Sequence, residues 1–197
     1  MQPSIAFFDF DGTITTKDTL LEFIRFSKGN TRFRLGFLLN SPWLIAYKLR
    51  LISNQRAKER ILTFFFGRCP VNTFAAHCDR FSSDILPGLI RSKALEEIAR
   101  LRAAGISVVI VSASPENWIR SWSMNQHADL LATRLEIAGD RLTGKIAGAN
   151  CYGNEKVRRI EAAYQLKEYP KIYAYGDTKG DLPMLALAHV RFYKPFR

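Results

Sequence analysis

The feature that most constrains the fold is a short apolar run that ends directly in acidic or hydroxyl side chains. This pattern occurs three times, in residues 4–9 with Asp9 and Asp11, in residues 106–111 with Ser112, and in residues 171–175 with Asp177. Short apolar runs of this kind are typical of strands buried on both faces of a parallel sheet. We therefore expect three strands that present these polar groups at their carboxyl ends.

Helical patterns separate the apolar runs. Residues 90–104 carry apolar side chains at helical spacing and end at Gly105, a usual helix terminator. Residues 154–166 repeat the helical pattern, and residues 133–147 alternate around a Gly-Asp turn that predicts a β-hairpin. Strands alternating with helices predict an α/β fold with a Rossmann-like parallel sheet core.

Residues 16–86 interrupt this alternation, because they contain no clear strand. The predicted helices of this stretch cover residues 20–27, 33–52, 55–66 and 71–81. An all-helical stretch inserted after the first strand of an α/β fold predicts a cap. We expect residues 1–15 and 87–197 to form the α/β core domain and residues 16–86 to form the helical cap domain.

The strand ends and one helix start carry groups suited to phosphoryl transfer. Asp9 and Asp11 point the same way on an extended strand, so one carboxylate can attack phosphorus while the other handles a proton. Ser112 and the backbone amides after it offer donors for phosphate oxygens, and Lys156 offers a positive charge. Residues 176–181 add two carboxylates, and oxygen-only ligands suit Mg²⁺.

The order of these groups resembles the four motifs of the haloacid dehalogenase (HAD) superfamily. The motifs are Asp9-Phe10-Asp11-Gly12-Thr13, then Val111-Ser112-Ala113-Ser114-Pro115, then Lys156, and finally Gly176-Asp177-Thr178-Lys179-Gly180-Asp181. The helical insert resembles the cap of the phosphoserine phosphatase-like branch. Within that branch the motifs resemble subfamily IB, some of whose members act on phospholipid head groups. The resemblance spans most of the chain and predicts a phosphatase.

The resemblance implies a role for each motif residue. Asp9 would be the nucleophile that forms an aspartyl-phosphate, and Asp11 would protonate the leaving oxygen and then activate water. The phosphate-binding groups would be Gly12, Ser112, Ala113 and Lys156. The Mg²⁺ ligands would be Asp9, the Asp11 backbone carbonyl and Asp177, with Asp181 as a further or more distant ligand. The second acid, Asp11, favours phosphate chemistry over dehalogenation.

Two positions depart from phosphoserine phosphatases. Ala113 stands where those enzymes typically have glycine, and Asp18 stands where they carry a substrate-contacting glutamate. Phosphoserine is therefore an alternative substrate rather than the favoured one. Asp18 and Arg60 are candidate substrate contacts in the cap. A phosphotransferase and a phosphate-responsive binding protein are further alternatives, although the complete set of catalytic groups favours an enzyme.

The positive charge of the chain is concentrated in the predicted cap. The net charge is +11, and residues 25–68 contain ten basic residues against one acid, Glu59. This imbalance indicates an anionic partner, which we expect to be a phosphorylated small molecule or a lipid head group. Nucleic acid is not expected, because no known binding pattern accompanies the charge.

Residues 35–47 carry no charge and are flanked by basic residues. At about 1.5 Å per residue this stretch is too short to cross a bilayer. It either packs onto the core or a second subunit, or it rests on an anionic membrane surface. The oligomeric state is left open. Without a recognisable secretion signal, we expect a cytoplasmic protein, peripheral to the membrane under the second alternative.

Overall fold

A computed structural model describes residues 3–197. Its strands are β1 (Ser4–Phe8), β2 (Ser107–Pro115), β3 (Asp129–Thr133), β4 (Leu135–Ala138), β5 (Arg141–Ile146), β6 (Lys171–Gly176) and β7 (Val190–Tyr193). Five of them form one parallel sheet in the order β3-β2-β1-β6-β7. The other two, β4 and β5, form the predicted antiparallel hairpin. The predicted α/β fold is confirmed.

Helices cover both faces of this sheet. Five of them, α1 to α5, come between β1 and β2 in the sequence. They are α1 (Thr19–Leu39), α2 (Ser41–Lys48), α3 (Asn54–Phe66), α4 (Val71–Arg80), α5 (Ser92–Ala103), α6 (Glu116–Asn125), α7 (Asn154–Ala163) and α8 (Leu182–Ala186). Successive residues of β1 alternate between the faces. Ala6 and Phe8 pack with the larger apolar cluster, whereas Ile5 and Phe7 pack with the smaller one. Both faces of β1 are therefore buried.

The helical stretch 16–86 differs from the prediction in one place. The prediction of a single helix over residues 33–52 is wrong, because the chain turns at Asn40 and α2 starts at Ser41. The Asn40 side-chain amide donates to the Gly36 carbonyl (2.8 Å), and Pro42 has no N–H with which to continue α1. The expected interruption near Gly29 is a kink inside α1, where Gly29 has φ +78°.

Helices α1, α3 and α4 share a core with the sheet layer. Phe23 of α1 is fully buried, and its ring centroid lies 5.4 Å from those of Phe66 and Phe74. On its other side Phe23 stacks on Trp118 of α6 at 4.5 Å. These aromatic contacts join the inserted helices to α6 and fix their position above the strand ends.

The helical stretch 16–86 starts and ends at adjacent points of the sheet layer. Thr15 forms an antiparallel bridge with Ile90, and the Thr16 N–H donates to the Leu89 carbonyl (2.8 Å). This crossing places α1 directly over the end of β1. Within residues 3–197, no helix combines the length and apolar character needed to cross a membrane.

Candidate active site

The carboxyl ends of β1, β2 and β6 and the start of α7 surround one pocket of 180 Å³. Six of the predicted site residues line it, namely Asp9, Asp11, Asp18, Ala113, Lys156 and Asp181. Ser112, Gly12 and Asp177 lie directly behind this lining, where they contact Asp11 or each other. The fold thus brings together motifs that are up to 172 residues apart, from Asp9 to Asp181.

Asp9 follows the last residue of β1 and is buried. One of its carboxylate oxygens, Oδ1, accepts a hydrogen bond from the Lys156 ammonium (2.6 Å), and the other accepts one from the Thr13 hydroxyl (3.0 Å). Burial, offset only in part by the charge of Lys156, raises the pKa of Asp9 to about 7. The Asp9 carboxylate is therefore shielded from water and held in place by two hydrogen bonds.

Lys156 lies in the first turn of α7 and is 1% exposed. Its Nζ donates to Asp9 Oδ1 (2.6 Å), to Asp181 Oδ1 (2.7 Å) and to the Val111 carbonyl (2.8 Å). These three bonds use every hydrogen of the ammonium. Burial acts to lower the pKa of Lys156, but the two carboxylates outweigh it and hold the pKa above its ordinary value.

Asp181 is oriented by the turn after β6. Its Oδ2 accepts hydrogen bonds from the Thr178 N–H (2.9 Å) and the Thr178 hydroxyl (2.8 Å). Burial acts to raise the pKa of Asp181, but Lys156 and the Thr178 donors outweigh burial and hold the pKa below its ordinary value. Asp181 is therefore a fixed negative charge that positions Lys156.

The buried acids Asp9, Asp177 and Asp181 have the composition and spacing of a magnesium site. One carboxylate oxygen from each lies within 4.8 Å of the other two. Oxygens bound to one Mg²⁺ at about 2.0–2.1 Å are separated by up to roughly 4.2 Å, so small side-chain movements would complete the site. Burial, with the charge of Asp181, raises the pKa of Asp177, and the Arg197 guanidinium opposes this by pairing with Asp177.

Gly12 is required at the turn beside these acids. Its φ is +85°, and an added Cβ would lie 2.6 Å from Asp177 Oδ2. A larger residue would therefore be strained in its backbone and would displace a candidate metal ligand. The Gly12 N–H donates to the Thr15 hydroxyl (3.2 Å), which holds the turn closed.

Asp11 has a different environment from Asp9. Its Oδ1 accepts hydrogen bonds from the Thr19 N–H (2.7 Å) and the Thr19 hydroxyl (2.6 Å) at the start of α1. Thr19 in turn accepts a hydrogen bond from the indole N–H of Trp118 (3.0 Å). The Asp11 carboxylate is thus fixed by the start of α1, and the residue lines the pocket.

Ala113 and Ser114 form the side of the pocket provided by β2, and Ser112 lies directly behind them. The Ser112 hydroxyl donates to Asp11 Oδ2 (3.3 Å) and accepts the Ser114 N–H (3.0 Å). β2 continues to Pro115, beyond the predicted end at residue 111, so these residues are still extended. The Ser112 hydroxyl therefore contacts the Asp11 carboxylate from behind the pocket lining.

Lys58 of α3 is a pocket residue that the sequence analysis did not select. Its Nζ donates to the Ala113 carbonyl (2.9 Å) and to Asn150 Oδ1 (3.2 Å). Burial lowers the pKa of Lys58, and the nearby carboxylates of Asp11 and Asp18 oppose that change. Helical spacing was the available signal, since residues 58, 61, 62 and 65 fall on one face of α3 and the last three are buried.

The sequence matches the haloacid dehalogenase-like hydrolase family over residues 6–186. The chain belongs to this family. It is 34% identical over 198 residues to Protein CicA of Caulobacter vibrioides, covering 100% of this chain and 88% of that protein. It is 30% identical over 201 residues to a Mycobacterium tuberculosis protein named as a probable phosphatase, covering 98% of this chain and 69% of that protein.

Among solved structures, a phospho-aspartyl intermediate analogue of phosphoserine phosphatase has the same fold. The TM-score is 0.70 at 17% identity, and the match covers 98% of this chain and 87% of that chain. The predicted membership of the HAD superfamily is confirmed, and the protein is a hydrolase of that family. The narrower assignment to subfamily IB stays a prediction.

The two candidate cap contacts of this HAD hydrolase have different positions. Asp18 lines the pocket and caps α1 by accepting the Leu21 N–H (3.1 Å). Arg60 is not brought to the pocket, because its guanidinium donates to Asn40 (2.9 Å) and lies over the Trp43 ring at 5.3 Å. The structure therefore does not support Arg60 as a substrate contact, and Lys58 is the cap cation in the pocket.

Proposed function

We propose that this protein is a Mg²⁺-dependent phosphomonoester hydrolase that acts through an aspartyl-phosphate on Asp9. The observation that carries the proposal is the position of the Asp9 carboxylate, buried at the base of the pocket and fixed by Lys156, with Asp11 facing the same cavity. A structural carboxylate has no need of a neighbouring proton donor and an open cavity. The phosphatase name of the mycobacterial relative agrees with this assignment.

The proposed reaction has two displacement steps at phosphorus. An Asp9 carboxylate oxygen forms a bond to phosphorus while the ester P–O bond breaks, and protonated Asp11 gives its proton to the leaving oxygen. In the second step Asp11 takes a proton from water, the water oxygen bonds to phosphorus, and the bond to Asp9 breaks. Inorganic phosphate leaves, and both aspartates return to their starting states.

The phosphoryl oxygens would be held by donors from three elements. We assign this role to the Ser112 hydroxyl, the Lys156 ammonium and the backbone N–H groups around Gly12 and Ala113. Lys156 contacts Asp9 at 2.6 Å, so a phosphate that reaches Asp9 comes close to this charge. A hydrogen bond from Lys156 to the phosphate would replace one of the three that its ammonium makes within the protein. Positioning and charge neutralisation supply most of the catalysis in phosphoryl transfer.

Mg²⁺ fits the acid cluster next to this phosphate position. Asp9, Asp177 and the Asp11 backbone carbonyl would hold it, with Asp181 as a further or more distant ligand. When bound, the ion would neutralise carboxylate and phosphoryl charge that would otherwise repel each other. Asp181 keeps Lys156 in place whether or not it touches the ion, because their contact at 2.7 Å is within the protein.

The substrate class follows from the size and charge of the pocket. A cavity of 180 Å³ admits a phosphate and a small group attached to it, such as a small phosphorylated metabolite or a lipid head group. Lys58 and Asp18 would contact the part of the substrate beyond the phosphate. Phosphoserine remains the alternative substrate, and transfer of the phosphoryl group to an alcohol remains the alternative reaction.

Hydrolysis by the Asp9→Asn variant tests the mechanism. We expect Mg²⁺-dependent release of phosphate from an aryl phosphate by the wild type, and a loss of roughly 10³-fold or more in Asp9→Asn. Asp140→Asn is the matched control, since Asp140 is exposed on the hairpin turn. A metal-dependent beryllofluoride adduct on Asp9 would support the enzyme over the binding-protein alternative. Retained activity in Asp9→Asn would refute the mechanism.

A substrate panel tests the reaction class and identifies the substrate. The panel contains phosphoserine, a sugar phosphate, a nucleotide and phosphatidylglycerol phosphate, each with and without anionic vesicles. Failure of the wild type with Mg²⁺ on every phosphomonoester, including the aryl phosphate, would refute the proposed function. Addition of an alcohol acceptor separates hydrolysis from phosphotransfer by the ratio of free phosphate to transferred phosphate.

A further inference from the structure

The exposed apolar side chains of this protein are concentrated in one short stretch. Of the fifteen large hydrophobic residues that are exposed within residues 3–197, eight lie between Leu35 and Leu51. Leu38 is 69% exposed, Leu49 is 66% exposed and Leu51 is 72% exposed. Single exposed apolar residues are common on proteins, but a concentration of this kind marks an interaction surface.

Helix α2 explains why this surface is apolar. None of its eight residues is buried, although its sequence is mostly hydrophobic. It contacts the rest of the protein through Asn40 at its start, which joins it to α1 and to Arg60 of α3, and through Leu44, which is partly buried against the core. An apolar helix that packs so little against its own chain is available to an external partner.

The same stretch carries only positive charge. Residues 30–51 contain four basic residues, Arg32, Arg34, Lys48 and Arg50, all exposed, and no acid. A neighbouring cavity of 250 Å³ combines the two properties, because Lys28 and Arg32 line it together with Leu35 and Phe64. We call the exposed side chains of residues 30–51 the α1–α2 surface.

The α1–α2 surface adjoins the rim of the candidate active site. Tyr47, 37% exposed at the end of α2, accepts a hydrogen bond through its hydroxyl from the Asn54 side chain (3.0 Å). Asn54 lines the active-site pocket and accepts a hydrogen bond from Asn150 (2.6 Å). Leu49 and Leu51 lie in the turn between these two residues, so the exposed stretch runs directly into the helix that provides Asn54 to the pocket.

We infer that the α1–α2 surface binds the surface of an anionic lipid bilayer. Exposed leucines and an aromatic ring can insert among the acyl chains near the head groups, while arginine and lysine meet the lipid phosphates. Pairing of two copies through this surface is disfavoured by charge, since each copy would bring the same four cations and no acid to the interface. A bilayer surface supplies the missing negative charge.

Sedimentation with vesicles tests this inference without any catalytic step. The probes are vesicles of phosphatidylcholine alone and vesicles in which about a third of the lipid is the anionic phosphatidylglycerol. We expect the wild type to bind only the anionic vesicles, and to bind them less as salt is raised. Leu49→Ser/Leu51→Ser is expected to lower the partition coefficient at least about tenfold. Met124→Ser/Ile137→Ser, which removes two exposed apolar side chains elsewhere, is expected to bind like the wild type.

Three results would overturn the inference. These are absence of binding by folded wild-type protein, equal losses in the two double variants, and a dimer in sedimentation velocity that Leu49→Ser/Leu51→Ser converts to a monomer. The inactive Asp9→Asn protein is expected to bind vesicles as the wild type does. Failure of membrane binding is therefore distinguishable from failure of the proposed catalytic function.

Discussion

Replacement of Lys156 by methionine is the most informative perturbation of the folded state. The substitution keeps a long apolar side chain on α7 but removes the ammonium that contacts Asp9 at 2.6 Å, Asp181 at 2.7 Å and the Val111 carbonyl at 2.8 Å. Two carboxylates would then be buried together without the counter-charge. Without bound metal we expect the variant to be less stable than the wild type.

The size of the stability loss in Lys156→Met follows from the burial of Lys156, Asp9 and Asp181. Removal of one partner from a buried ion pair costs about 3–5 kcal/mol, because the remaining charge is desolvated and unpaired. A domain of this kind has a total stability of roughly 5–15 kcal/mol, so the variant would lose a large share of it. By contrast, Lys93→Met on the exposed side of α5 is the matched control and is expected to change stability by less than about 0.5 kcal/mol.

The pH dependence of this loss provides a second test. The pKa of Asp9 is about 7 in the folded protein and 3.8 ordinarily, so the folded state binds the extra proton between these values. Asp9 therefore makes the metal-free protein more stable as pH falls from about 7 towards 4. Without Lys156 the pKa of Asp9 rises further, so we expect the deficit of Lys156→Met to be smaller at pH 5 than at pH 8.

Urea unfolding in EDTA, followed by circular dichroism at pH 5 and pH 8, measures both effects. A deficit below about 1 kcal/mol at pH 8 would show that the carboxylates do not depend on Lys156. A deficit that grows towards pH 5 would contradict the assignment of a raised pKa to Asp9. The double variant Lys156→Met/Asp9→Asn should recover part of the lost stability, because it removes one unpaired charge.

Two other predictions concern the turn after β1 and the cap. Gly12→Ala is expected to lower the stability by at least about 1–2 kcal/mol, because alanine is strained at a φ of +85°. The added Cβ would also displace Asp177 and so weaken Mg²⁺ binding. Thermal melts with and without Mg²⁺ measure both effects. A Mg²⁺-induced rise in melting temperature equal to that of the wild type would contradict this. Lys58→Met is expected to lower kcat/KM on the preferred phosphomonoester at least about tenfold, whereas Arg60→Met should leave it within about twofold. Equal losses would reverse our assignment of the two cations.

Three strands of the α/β core, β1, β2 and β6, were predictable because each has a local sequence signature. The edge strands β3 and β7 were not predicted, since both are short and only partly buried. Residues of β1 and β2 are apolar on both faces and stop at polar motifs, and this pattern depends on neither the cap nor the tail. The break at Asn40 was harder to predict, since uninterrupted apolar residues on both sides favour one long helix. Its cause is a pair of local effects, the Asn40 side-chain bond to Gly36 and the missing N–H of Pro42.

The sequence predicted those residues of the site that line the pocket and also belong to a motif. Asp9, Asp11 and Lys156 lie within the motifs, and the fold brings them to one cavity. The supporting contacts come from residues whose positions depend on tertiary packing. Thr19 reaches Asp11 only because α1 starts above β1, and Arg197 reaches Asp177 only because the final residues pack back on the sheet end. The domain boundaries at residues 15 and 87 stay a prediction.

The aromatic cluster around Phe23 determines how a substrate can enter. Swinging the inserted helices away from the sheet would separate Phe23 from Trp118 and expose two fully buried aromatic rings, at roughly 1.5–3 kcal/mol for a Phe-sized side chain. Trp118 would also lose its bond to Thr19, and with it the support of the Asp11 carboxylate. These contacts oppose such a movement, and the inserted helices form one wall of the pocket. Substrates would then be selected by the shape of the entrance that the inserted helices leave above the strand ends.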